Sequence, residues 1–135
     1  MNVRELQRFC RQLPWASERL LPDPYNILVY SLDDTFFAYF KTSEPEKWRF
    51  SLKVTPERFL ELTGMPGVKP ARYRGRYYWI TIVDVRRFPA AYLRELVEWA
   101  HRHAFERLRV SRRKALTGGA APAPRAQPEA EPGPR

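Results

Sequence analysis

The fold is decided by residues 26–42, which read NILVYSLDDTFFAYFKT. Two runs rich in β-branched and aromatic residues, Asn26–Leu32 and Thr35–Thr42, flank the turn-forming pair Asp33 and Asp34. Two such runs separated by two turn residues are typical of a β-hairpin, although Asp-Asp is a poorer turn than Asp-Gly. The sequence therefore predicts two neighbouring antiparallel strands.

Two further strands are predicted after this hairpin. In Trp48–Val54 the apolar residues Phe50, Leu52 and Val54 alternate with polar ones, which gives the strand one dry and one wet face. The next strand, Tyr77–Val83, follows a loop punctuated by glycine and proline.

Three helices complete the predicted architecture. Apolar residues at helical spacing indicate a helix over Val3–Leu13, which Asn2 can cap and Pro14 ends. A second helix is predicted over Pro56–Leu62, with Thr55 as its cap and proline at its first position. The last helix begins at Pro89 and is predicted to run to about Ala115. The order α-β-β-β-α-β-α predicts an α+β domain whose mostly antiparallel sheet has helices packed on one face.

Composition divides the chain into a domain, residues 1–116, and a tail, residues 117–135. The tail holds only Ala, Pro, Gly, Gln, Thr and four charged residues that cancel. It has nothing to bury, so it is predicted to be disordered. Cys10 is the single cysteine, and neither a leader nor a run of transmembrane length is present. We therefore expect a cytoplasmic protein without membrane association.

Positive charge is concentrated in two places. The net charge is +9, from 24 basic and 15 acidic residues. Residues 69–76 carry four cations and no acid, and residues 101–116 carry six cations against Glu106 alone. A basic pole of this kind favours an acidic partner, most often nucleic acid.

The first basic segment also carries aromatic residues. It is predicted to form a wing-like loop whose cations contact phosphates while Tyr73 stacks beside them. The predicted nucleic-acid-binding residues are Lys69, Arg72, Tyr73, Arg74, Arg76, Arg86, Arg87, Arg107, Arg109, Arg112, Arg113 and Lys114. No helix presents the residue set that reads base edges, so binding through the backbone is expected, with DNA the first choice.

Several short motifs occur in a family-like order. They are the helix end Leu13-Pro14, the hairpin over 28–38, Leu52–Glu57, Pro66–Ala71, Tyr73–Arg76 and Trp79. Together they resemble the MmcQ/YjbR-type small proteins, over residues 3 to about 108. The resemblance implies a frataxin-like fold and DNA binding through a double-wing arrangement. The chain departs from the family at Asp33, Asp34 and Thr35, where Gly-Gly-Lys is common, so threonine replaces a lysine that could contact phosphate and two acids precede it. The His/Asn-containing run often seen before the tryptophan is also replaced, by residues 74–78.

The sequence gives little support for a metal site or for catalytic residues. The first helix carries Arg4, Arg8 and Arg11 rather than an acidic ridge for iron, and His101 and His103 point about 200° apart on a helix. Cys10 lies on an apolar stripe, and the adjacent Asp33 and Asp34 are ordinary turn formers. We therefore predict a non-enzymatic protein without a metal or other cofactor.

Two other binding classes stay open. The alternative to nucleic-acid binding is an adaptor whose basic surface docks an acidic protein partner. A small-ligand or anion binder would need a concave pocket with convergent polar groups, which a sequence cannot show. Oligomeric state is likewise outside the reach of these patterns.

Overall fold

A computed structural model of the chain describes residues 1–119. The elements are α1 Val3–Gln12, β1 Ser17–Leu21, β2 Ile27–Leu32, β3 Thr35–Lys41, β4 Phe50–Lys53, α2 Pro56–Leu62, β5 Val68–Pro70, β6 Trp79–Ile82, α3 Ala90–Arg107 and α4 Val110–Gly119. The strands form one antiparallel sheet in the order β1-β2-β3-β4-β6-β5. The predicted α+β class, with its mostly antiparallel sheet, is confirmed.

The main core lies between the helices and one face of the sheet. Strand residues alternate between faces, so one set of side chains points towards the helices. The largest fully buried members of this core are Tyr30, Phe37, Phe40, Phe50, Leu6, Leu32, Leu52, Leu62, Ile80, Ile82, Leu93 and Leu96. Helix residues from α1, α2 and α3 all join this single cluster, so these helices cover the same face.

A bulge in β3 determines which face of the sheet Phe36 and Phe37 occupy. Tyr30 pairs with Ala38 but the next residue, Ser31, pairs with Phe36, so Phe37 has no partner on β2. The extra residue lets Phe37 join Ala38 in the core, with Phe37 only 1% exposed. Phe36 is consequently turned to the opposite face, where it meets the functional residues described below.

The helix starts follow from local sequence. The Asn2 side chain accepts a hydrogen bond from the Glu5 amide, and the Glu5 carboxylate accepts one from the Asn2 amide, which forms a capping box. Thr55 accepts from the Arg58 amide ahead of Pro56. The predicted cap at Asn2 and the proline at the first position of α2 are both confirmed.

The structure corrects several predicted elements. Strand β1 was not predicted, because three of its five residues are polar and its sheet-edge position needs no apolar alternation. Strand β5 lies inside the predicted basic loop, and its Pro70 is tolerated because β5 is the other edge strand. The last helix is interrupted at Leu108, whose ψ of 153° is extended, and α4 then begins.

The predicted tail boundary also moves. Helix α4 runs to Gly119 and so includes the first three residues of the predicted tail, while residues 120–135 lie outside the described residues. Among residues 1–119, no helix combines the length and the apolar character needed to cross a bilayer.

We expect the free energy of unfolding to fall as pH is lowered from 7 to 5, because of His101. Its Nε2 atom donates a hydrogen bond to the Pro14 carbonyl at 2.8 Å, and its ring packs edge-on against Phe37. Burial lowers the pKa of His101 from its ordinary 6.5. The unfolded chain therefore takes up the proton first, and stability is lost as pH falls below about 6.5. Urea denaturation at pH 5, 6 and 7 measures this loss.

The variant His101→Gln provides the control. It keeps an N–H donor for Pro14 but does not titrate, so its stability should vary less over the same pH range. An equally steep loss in the variant would assign the pH dependence to other groups.

Candidate nucleic-acid interface

The second face of the sheet, opposite the main core, is lined by one continuous row of residues. The strand register places these residues side by side across all six strands: Arg19, Val29, Tyr39, Ser51, Thr81 and Lys69. Ser51 and Thr81 share a hydrogen bond of 2.7 Å between their hydroxyl groups. The row begins and ends with a cation, on the two edge strands.

Aromatic residues form a small cluster on this second face. Tyr39 and Trp79 stack with ring centroids 5.7 Å apart. The guanidinium group of Arg74 lies over Trp79 at 5.0 Å and over Phe36 at 5.4 Å. Trp79 is therefore 5% exposed although it does not belong to the main core cluster. A cation over two rings is attracted by their negative faces, so Arg74 is held in place while its in-plane N–H donors are not used by these contacts.

Arg72 also reaches residues associated with this face. Its guanidinium pairs with Glu46 at 2.9 Å, and Glu46 lies 3.6 Å from Arg49. Arg49 lies directly before β4 and two residues before Ser51. Because side chains alternate along a strand, Arg49 and Ser51 lie on the same, second face. One carboxylate thus links the predicted basic loop to the β3–β4 connection.

The basic loop is shaped by two residues in the left-handed region. Tyr73 and Tyr78 have φ values of 68° and 66°, and residues Gly75–Tyr77 form one turn of 3₁₀-helix between them. The predicted strand consequently begins at Trp79 rather than Tyr77. Tyr73 is 88% exposed, which agrees with the prediction that it is available for stacking. Arg76 lies over the Tyr77 ring at 4.9 Å.

Arg86 and Arg87 are not brought to this loop. They follow the carboxyl end of β6, where the Val83 amide bonds to the Gly67 carbonyl, whereas Arg74 precedes the amino end of that strand. Both cations approach Asp84, at 3.0 and 3.9 Å. The Arg86 guanidinium holds the pKa of Asp84 below its usual range. Arg86 and Arg87 therefore do not extend the patch of cations on this loop.

The helix-end cations separate into two groups. Arg107 is the last residue of α3 and turns towards the loop, as described below. The others lie on or just before α4, where Arg112 pairs with Asp33 through two contacts of 2.6 and 2.9 Å. Arg109 and Lys114 are exposed. The Asp33 pair therefore fastens α4 to the β2–β3 turn, so Arg112 has a structural partner that the sequence did not indicate.

A cleft of about 350 Å³ lies at the strand ends, where β3 and β6 begin and β4 ends. The residues that line it include Phe36, Lys53, Arg74, Trp79, His103 and Arg107. It brings together the predicted loop residue Arg74 and the predicted helix-end residue Arg107. Sequence reasoning missed Lys53 and His103 as members of this site. Lys53 lies outside both basic segments, and His103 lies within residues 101–116 but is not one of the cations of that segment.

Of the groups considered for catalysis and metal binding, Asp34 and His103 line the cleft, whereas Cys10 and His101 do not. Cys10 is fully buried, and burial raises the pKa of its thiol far above the usual range. Within residues 1–119, no three His, Cys, Asp or Glu side chains are grouped closely enough to hold a metal ion.

Comparison with known proteins identifies the family. A family model described as YjbR matches residues 11–103, which is more than half of the chain. The chain belongs to the YjbR family. No match was found among curated proteins.

Two solved structures resemble this YjbR-family protein. The first is a Deinococcus radiodurans protein with a domain described as DUF419, at 28% identity and a TM-score of 0.70, covering 85% of this chain and 87% of that one. The second is a Pseudomonas syringae protein at 20% identity and a TM-score of 0.61, covering 77% of this chain and 99% of that one. The second likeness concerns the fold alone.

Proposed function

We propose that this YjbR-family protein binds nucleic acid, DNA first, through phosphate contacts on the second face of the sheet and the adjoining basic loop. The observation that carries the proposal is the grouping of cations around the Tyr39–Trp79 stack. Alternation, register and direct contacts associate six cations with this face: Arg19, Lys41, Arg49, Lys69, Arg72 and Arg74.

The chemistry of this surface suits a polyanion. Guanidinium and ammonium groups neutralise phosphates and release counterions, and exposed rings provide surfaces on which bases stack. Tyr73 is the most exposed ring in the loop. The acidic Glu46 lies between Arg49 and Arg72 and keeps both side chains oriented without cancelling the group.

Binding is expected to be steeply salt-dependent. If about six phosphates are neutralised, log affinity against log salt should have a slope near −5 on duplex DNA. Fluorescence anisotropy with labelled duplex DNA, single-stranded DNA and RNA, each titrated at several salt concentrations, measures both the slope and the preferred form.

Absence of binding to all three probes at low salt would contradict the proposal. A protein of net charge +9 with an accessible phosphate-binding surface must show at least non-specific affinity under those conditions. Saturable binding to an acidic protein, combined with little affinity for duplex DNA, would instead identify the adaptor function.

A further inference from the structure

The cleft at the strand ends has an excess of positive charge. Lys53, Arg74 and Arg107 line it together with the acidic Asp34, so three cations against one carboxylate leave a net +2. Within residues 1–119, none of the three cations forms an ion pair with an acid. Like charges gathered in a concave site repel one another. An anion with a charge near −2 would offset the net +2 and reduce this repulsion.

A second, independent observation concerns His103. Its ring stacks on Trp99 with centroids 4.8 Å apart, which fixes its orientation. Its Nε2 atom is buried and has no hydrogen-bond partner among residues 1–119. A buried polar atom without a partner is costly, and the His103 side chain lines the cleft, so a small shift of this side chain on ligand binding would let a group in the cleft satisfy Nε2.

Electrostatics agree with this geometry. Burial, and then the charge of Arg107, lower the pKa of Lys53. Burial together with Lys53 and Arg107 lowers the pKa of His103, so its imidazole is neutral at pH 7. Lys53 donates a hydrogen bond to the Tyr77 carbonyl, which holds its ammonium group at the cleft.

The remaining wall is partly aromatic. Phe36, Tyr77 and Trp79 contribute rings, which can contact a nucleobase. The volume is near the lower end of the range of roughly 300–1,000 Å³ for small-ligand pockets. A phosphate monoester carries close to two negative charges at pH 7, which matches the net charge of the walls.

We propose that the cleft binds a nucleoside phosphate, with Lys53, Arg74 and Arg107 holding the phosphate, His103 bonded to it or to the sugar, and the rings contacting the base. This ligand could be free nucleotide or the phosphorylated end of a strand. The inference goes beyond nucleic-acid binding on the second face, because a free nucleotide could fill the cleft even if that face bound none.

Isothermal titration calorimetry tests the proposal with AMP, adenosine and a single-stranded oligonucleotide in 5′-phosphorylated and 5′-hydroxyl forms. We expect saturable one-to-one binding of AMP and much weaker binding of adenosine. Arg107→Met should weaken the binding of AMP by about tenfold or more, the cost of losing one charge-assisted hydrogen bond. Arg94→Met is the matched control, since Arg94 is exposed on the same helix about 20 Å away.

Each outcome assigns or removes the site. If only the 5′-phosphorylated oligonucleotide gains affinity over its hydroxyl form, and Arg107→Met removes that gain, the cleft holds a strand end. If neither AMP nor the terminal phosphate binds, or both variants lose the same affinity, the proposal is wrong. Failure of the 5′-hydroxyl oligonucleotide to bind would count against the second-face interface and leave AMP binding intact.

Discussion

Replacing Phe40 by alanine is expected to lower the free energy of unfolding by about 3–5 kcal/mol. Phe40 is fully buried, and its ring contacts Tyr30, Trp48 and Phe50 at centroid distances of 6.3, 6.1 and 4.8 Å. Truncation leaves a cavity that these three rings, on β2, on β4 and in the turn before β4, cannot fill. Urea denaturation monitored by circular dichroism measures the loss, which is a large part of the stability of a domain this size.

Phe36→Ala is the matched control on the same strand. The bulge at Phe37 turns Phe36 to the second face, where it is half-buried beneath Arg74. Its loss should cost about 1 kcal/mol, because little core volume is removed. Equal destabilisation by both variants would show that Phe36 packs in the core and that the bulge is assigned wrongly.

Replacing Arg49, Lys69 and Arg72 by alanine is expected to weaken duplex DNA binding by at least tenfold at moderate salt. Removing three phosphate contacts should also bring the salt slope from near −5 to near −2.5. The change leaves the cleft cation Arg74 in place, so it tests the interface alone. Losing Arg72 also frees the Glu46 carboxylate, which then repels phosphate. Anisotropy with the same probes measures affinity and slope together.

A second triple variant controls for total charge. Arg4, Arg8 and Arg94 are exposed and lie on α1 and α3, in the helix layer on the other side of the sheet. Their replacement by alanine removes the same three charges but should leave the slope nearly unchanged. If both triple variants lost binding equally, attraction would come from net charge and not from the second face.

The parts of the fold that could be predicted are those indicated by local sequence patterns, such as alternation, turn residues and helix caps. Residues close in sequence predicted the hairpin of β2 and β3 and the alternating strand near Phe50. They also predicted the capped starts of α1 and α2. The missed strands, β1 and β5, are edge strands of five and three residues. Their backbones are held by one neighbour each, and their side chains carry no clear alternation.

The candidate site was predictable only in part. Basic clusters pointed to Arg74 and Arg107, and the structure brings these two together. Lys53 was read as the wet position of a strand and His103 as an ordinary surface or half-buried residue. No local signal distinguishes either of them from many similar residues. Arg86, Arg87 and Arg112 were grouped with the site on composition, but each lies close to a carboxylate, Asp84 or Asp33, that the composition did not indicate.

The sequence by itself determined the α+β class, the family, the basic character and the main helices and strands, because periodicity, capping and charge act over a few residues. The tertiary structure alone decided which cations meet. Lys53, Arg74 and Arg107 come from β4, a loop and α3, and only strand register and helix packing bring their side chains to one cleft. The same is true of the second face. The Tyr39–Trp79 stack depends on β6 lying beside β4, a pairing that no short stretch of residues encodes.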